Sequence, residues 1–133
     1  MSIDVLPGAD EDMDRLAEAD PAALAVVLAF LEEAEADPKL ETILTTTGDV
    51  DFGNFQLSIK RWASAQSAGN LLRIRILDTP ATVYRVIYGY DWRKRRIGIL
   101  AIVHKDDLDY EIDSKLSRRI LDDWNTATDG QPT

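Results

Sequence analysis

The stretch LLRIRIL, residues 71–77, leaves the backbone little choice. Leu72, Ile74 and Ile76 alternate with Arg73 and Arg75, and a period of two buries one face only in an extended strand. VYRVIYGY at 83–90 and RIGILAIVH at 96–104 are rich in the β-branched and aromatic residues that suit a pleated surface. The five residues DWRKR between them predict a hairpin loop, so the three segments read as an antiparallel meander. LSIKRW, residues 57–62, alternates more weakly ahead of them.

Before Gly53 the period is helical. SIDVL at 2–6 is a short extended run closed by Pro7 and Gly8, and a weak helix follows from Asp10 to about Ala19 with Met13, Leu16 and Ala17 on one face. Asp20-Pro21 is a helix start, an N-cap acid before a proline at the first helical position. Leu24, Val27, Leu28 and Leu31 then give the spacing of a core-facing stripe. Asp37-Pro38 repeats the start signal for a short third helix, with Leu40, Ile43 and Leu44, ending near Gly48. A last helix from about Ser114 to Trp124 offers Leu116, Ile120, Leu121 and Trp124. The order predicts a small α+β sandwich, an N-terminal strand and helices packed on an antiparallel meander sheet, closed by a C-terminal helix. One domain over residues 1–125 is expected, with TATDGQPT, residues 126–133, as a flexible tail.

The chain of 133 residues is long enough for one sizeable core. It has no cysteine, hence no disulfide framework and no thiolate metal site. The acidic start MSIDVLPGADEDMD lacks the apolar core of a secretory signal, and no apolar run reaches the roughly 18 residues of a membrane span. A cytoplasmic protein is the expectation.

Charge is distributed unevenly. Residues 1–54 carry 14 acids and two bases, residues 55–105 ten bases and two acids, and residues 106–133 eight acids and three bases, for a net charge of -9. The whole-chain sign argues against non-specific nucleic-acid binding, while the central block argues for a local basic surface. Arg93, Lys94, Arg95 and Arg96 sit at the hairpin tip, where a charge run is either solvated or paired with flanking acids. Arg73, Arg75 and Arg85 lie within strands, either snorkelling at an edge or lining one polar face together. Several guanidinium forks on one rigid sheet would suit phosphate.

His104, the only histidine, ends the last strand before KDDLDYE and is the candidate for proton transfer; it equally suits a hydrogen-bonded structural role. Tyr110 is its candidate partner, a phenol whose pKa a cationic patch would lower toward use as a general base. Asp106, Asp107, Asp109 and Glu111 offer oxygen ligands, yet acids also suit the first turn of the helix that follows, and no metal or other cofactor is assigned. No glycine-rich phosphate loop, HExxH or GxSxG pattern occurs.

The order IDVLPGADEDMDRL, DPAALAVVLAFLEEAEADP, LLRIRIL, YRVIYGY, IGILAIVHK and DLDY resembles the RelE/ParE superfamily of bacterial type II toxins over nearly the whole chain. Its most specific piece is the Tyr-Arg-hydrophobic-hydrophobic-Tyr strand, followed by a strand ending in a short polar motif. The resemblance implies a toxin held inactive by a cognate antitoxin protein. RelE-like members are metal-independent endonucleases that enter the ribosome and cut mRNA; ParE-like members keep the fold and poison DNA gyrase. It also implies roles: phosphate neutralisation for Arg73, Arg75 and Arg85, a terminal basic pair in His104 and Lys105, and a general base in Tyr110. Arg85, His104 and Tyr110 are thus the candidate catalytic set, with Arg73, Arg75, Lys105, Lys60 and Arg61 as RNA or phosphate ligands. Where RelE-like sequences place further bases this chain has DDLDYE, whose acids would repel an RNA backbone. Three readings stand: a ribosome-dependent ribonuclease acting in the bacterial stress response, a ParE-like inhibitor of gyrase or another protein, and an inactive antitoxin-binding homologue.

Overall fold

In the computed structural model, which describes residues 2–62, 71–107 and 114–128, the alternating segments become adjacent strands of one sheet. The first strand, β1 (Ser2–Val5), leads into α1 (Pro7–Ala19), α2 (Pro21–Ala36) and the short α3 (Leu40–Leu44). Five strands follow: β2 (Gly48–Phe52), β3 (Phe55–Arg61), β4 (Leu71–Leu77), β5 (Tyr84–Asp91) and β6 (Arg96–His104). A 3-10 turn, Pro80–Val83, precedes β5, and α4 (Lys115–Thr128) closes the chain. The sheet order is β1-β6-β5-β4-β3-β2, antiparallel from β2 to β6, with β1 parallel to β6 at the edge. The fold is α+β, a mixed six-stranded sheet between three helices on one face and α4 on the other.

The meander is longer than expected, because GDVDF forms β2 and pairs with β3 around Gly53-Asn54. Gly53 has φ 56°, the left-handed value that a two-residue hairpin loop requires and that glycine adopts without strain. The stripe of α2 is also displaced. Ala23, Val27, Phe30, Leu31 and Ala34 are buried, whereas Leu28 is 47% exposed. Asp20 caps the helix as expected, its carboxylate accepting from the Ala23 N–H at 3.1 Å. Asp37 instead accepts from the Lys39 N–H, and α3 starts without a side-chain cap. At the other end α4 runs to Thr128, so residues 126–128 are helical rather than tail.

Two apolar clusters lie on the two faces. The larger joins α1, α2 and α3 to Leu57, Ile59, Leu72, Ile74, Ile76, Val86 and Tyr88. The smaller joins Ile120 and Trp124 of α4 to Trp62, Leu71, Ile87, Leu100 and Ala101. Gly89 and Gly98 are directly paired across β5 and β6, and the Trp124 ring lies on the bare patch they leave. A Cβ at Gly89 would stand 2.8 Å from the indole.

A bulge explains why Leu100 and Ala101, neighbours in sequence, both enter the smaller cluster. Ile87 pairs with Ala101 but Tyr88 with Ile99, so Leu100 is the extra residue and the facing of β6 reverses after it. On the outer side of β6, β1 pairs only as far as Val5 with Ile99. Beyond that point side chains replace the missing strand. The Ile102 N–H donates to Asp12 Oδ2 at 2.9 Å, and Arg119 Nη2 donates to the Leu100 carbonyl at 3.4 Å. Arg119 also grips the Asp12 carboxylate with both terminal nitrogens, at 3.2 and 3.0 Å, tying α1 to α4.

Tyr88 marks the centre of the larger core. Its side chain has no solvent exposure, and its hydroxyl donates to the Leu44 carbonyl at 2.6 Å. Burial pushes the phenol far above its ordinary value, so the folded chain holds it neutral where an unfolded chain ionises it. Stability contributed this way is complete below pH ~10 and falls above it by about 1.4 kcal/mol per pH unit. Denaturation followed between pH 8 and 11 is expected to show that loss. Tyr88→Phe flattens it, at a cost of about 1–3 kcal/mol at neutral pH for the orphaned carbonyl.

Candidate basic face and flanking clefts

The strand pattern itself assembles a cationic surface. With Leu57 and Ile59 turned to the helical core, Ser58 and Lys60 face the α4 side; with Leu72, Ile74 and Ile76 in the core, Arg73 and Arg75 do the same. The register sets Lys60 directly opposite Arg73 and Ser58 directly opposite Arg75. The β4–β5 ladder ends at Ile74 and Val86, and one residue beyond it Arg85 joins the group. Ser58, Lys60, Arg73, Arg75 and Arg85 line one cleft of about 280 Å³ beside the ground covered by α4.

Its electrostatics run against folding economy. Like charges directly opposite on neighbouring strands destabilise a sheet, and Lys60 with Arg73 is such a pair. Lys60 and Arg75 make no ion pair or hydrogen bond among the described residues. Arg85 is held in place by its own turn, Nη1 donating to the carbonyls of Thr82 at 3.0 Å and Tyr84 at 3.3 Å. Asp49 of the edge strand, paired with Ser58, shares this face. Along β4 the two arginines stand about 6.8 Å apart by strand geometry, and adjacent strands add cations at about 4.8 Å. Such a raster of donors fits an extended polyanion better than a single small anion.

Other candidates fall elsewhere. Arg61, next to Lys60, turns to the opposite face and lines a cavity with Glu41, Thr45, Leu72, Tyr90 and Trp92. His104 pairs with Tyr84 and shares its face, their rings meeting edge to face at 5.4 Å. Strict alternation along β6 would have put His104 on the Gly98 side with the arginines, and the bulge at Leu100 moves it away. There it lines a cleft of about 770 Å³ with Asp12, Arg15, Asp107 and Arg119. Its Nδ1 accepts from the Asp106 N–H at 3.1 Å, which leaves the proton of the neutral ring on Nε2. Burial, then the carboxylates of Asp20 and Asp107, hold the Tyr84 phenol above its usual range, so it is a hydrogen-bond donor there and not a base. Lys105 is exposed past the strand end, its N–H donating to the Val83 carbonyl at 2.8 Å.

Tyr110, with Asp109 and Glu111, lies outside the described residues. Among the described residues no group of three or more His, Asp or Glu side chains is placed to hold a metal ion, and no helix is long and apolar enough to cross a membrane. The turn arginines pair with flanking acids: Arg95 with Glu41 at 2.8 Å and Arg96 with Asp4 at 3.5 Å. Glu41 was missed in the sequence. It accepts from the Tyr90 hydroxyl and from Arg95, and these two contacts hold its carboxyl below the usual range. Comparison of the chain with known protein families, with curated proteins and with solved structures finds no match.

Proposed function

We propose that the chain binds the phosphodiester backbone of RNA on its basic sheet face, as the toxin component of a type II toxin–antitoxin system that cleaves mRNA on the ribosome. The observation that carries this reading is the convergence of Lys60, Arg73, Arg75 and Arg85 from three adjacent strands onto one face. In a metal-independent cleavage the 2′-hydroxyl of the RNA attacks the neighbouring phosphorus, a 2′,3′-cyclic phosphate forms, and the 5′-oxygen leaves with a proton taken from water. Negative charge builds on the equatorial phosphoryl oxygens, where fixed guanidinium donors stabilise it more than they stabilise the ground state. The cleft supplies those donors on strands, which hold them more rigidly than loops would. The 2′-hydroxyl proton needs an acceptor, and Tyr110 is the residue assigned to it; His104 is not, because its ring faces the other side of the sheet.

That placement of His104 favours a second reading, in which the same face binds without cutting. The chain would then be a ParE-like toxin acting on DNA gyrase or another protein, or a homologue that only engages its antitoxin. A cognate antitoxin is the expected partner in each case. Induction of the chain alone in a bacterial host separates the readings. The expected result is growth arrest with new mRNA 5′ ends inside translated codons, both abolished by Arg75→Ala and by Arg85→Ala. Arrest with intact messages selects the second reading, and absence of arrest removes the toxin assignment.

A further inference from the structure

The cavity around Arg61 lies on the helical side of the sheet, away from the basic cleft. It is an open cavity of about 250 Å³, room for a small ligand only, and its wall is mostly fixed by contacts already made. Leu72, 2% exposed, is its apolar floor. Tyr90 is tied by its hydroxyl to Glu41, and Glu41 accepts from Arg95 through Nε at 3.1 Å and Nη2 at 2.8 Å. Glu41, the one carboxylate of the wall among the described residues, is therefore already satisfied and asks for no further cation.

Two groups remain uncommitted. Arg61 makes no hydrogen bond or ion pair among the described residues, although it lines the cavity. Trp92 is 61% exposed, while Trp62 and Trp124 are 2% and 4% exposed. The Arg93 guanidinium, 5.8 Å from the Trp92 ring centroid, steadies the indole against the turn. An aromatic plane, a free guanidinium and an apolar floor around one cavity have a joint complement. We infer that this cavity binds a small aromatic anion, a planar ring stacked on Trp92 with a single carboxylate or phosphate held by Arg61.

Binding can be followed by the Trp92 indole N–H resonance, assigned with Trp92→Phe, as the whole chain is titrated with adenosine 5′-monophosphate and, separately, with benzoate. Adenosine and inorganic phosphate serve as the two halves of the ligand. A saturable shift is expected with an intact aromatic anion, at least tenfold weaker for Arg61→Gln and for each half alone. Saturation by only one of the two probes identifies the source as nucleotide or aromatic acid. Both substitutions lie at exposed positions and leave the core intact, so the thermal transition of each variant is expected to match the parent. A shift unchanged in Arg61→Gln, a shift reproduced by inorganic phosphate alone, or no shift at millimolar probe overturns the assignment. RNA binding on the opposite face is scored separately, so failure here leaves that reading standing.

Discussion

Asp12→Ala is expected to lower the free energy of unfolding by about 3–5 kcal/mol, a large share of the 5–15 kcal/mol that holds an ordinary domain together. Asp12 is 5% exposed and receives donors from three directions. Removing it orphans the Ile102 N–H on an open strand edge and leaves the half-buried Arg119 guanidinium only the Leu100 carbonyl, its buried Nε having no partner among the described residues. A buried charge left without its partner is among the costliest single changes a protein can suffer. Asp12→Asn keeps an acceptor for Ile102 and should fall between the two. Arg15→Ala should cost less than about 1 kcal/mol, since the Arg15 side chain is 65% exposed and its pair is screened. Urea denaturation reads all three through the midpoint at unchanged slope. A midpoint for Asp12→Ala within 1 kcal/mol of the parent would show that the edge is closed by something other than this carboxylate.

The second large effect concerns the basic face. Arg73→Glu combined with Arg75→Glu is expected to weaken single-stranded RNA binding by at least ~100-fold at 50 mM salt, because charge-assisted hydrogen bonds are each worth about 1.5–3 kcal/mol. The parent carries its own internal check. If Lys60, Arg73, Arg75 and Arg85 each displace a counterion, log K falls with log salt at a slope of about −2.8, and affinity drops roughly 50-fold between 50 and 200 mM. Each cation removed should reduce that slope by about 0.7. Fluorescence anisotropy with a labelled oligonucleotide measures both quantities. A slope near zero, or a double variant that binds like the parent, would mean that the face does not meet a polyanion. Lys60→Thr should meanwhile raise stability by about 0.2–1 kcal/mol by relieving the directly opposed pair, the trade-off expected where a surface is kept for binding.

Much of the fold was legible because its segments announce their periods. The alternation in LLRIRIL, the Asp20-Pro21 start and the spacing of Ile120 and Trp124 each reflect one buried face, and each element formed where that face required it. β2 was missed because GDVDF places acids at every second position and offers only Val50 and Phe52 to the core. The Gly53-Asn54 pair between two phenylalanines was the available signal, a two-residue hairpin loop.

The basic cleft was partly legible for the same reason. Strand parity puts Arg73 and Arg75 together, and the same parity, applied to adjacent Lys60 and Arg61, separates those two. His104 could not be placed that way. Its facing depends on one extra residue at Leu100, and a bulge is set by how β6 meets β5 and α4. Glu41 was invisible because its partners, Tyr90 and Arg95, are 49 and 54 residues away.

The clasp between Asp12 and Arg119 also bears on how the chain comes off the ribosome. Its two halves are 107 residues apart, and β1 likewise waits for β6, whose register places Ile3 beside Ile97. At about 5–20 residues per second, Asp12 is made roughly 5–20 s before the guanidinium that completes its clasp. During synthesis the helical first half has neither its sheet nor its clasp, and its apolar stripes are open to chaperones and to other nascent chains. Folding of this domain is therefore complete only once α4 has been made.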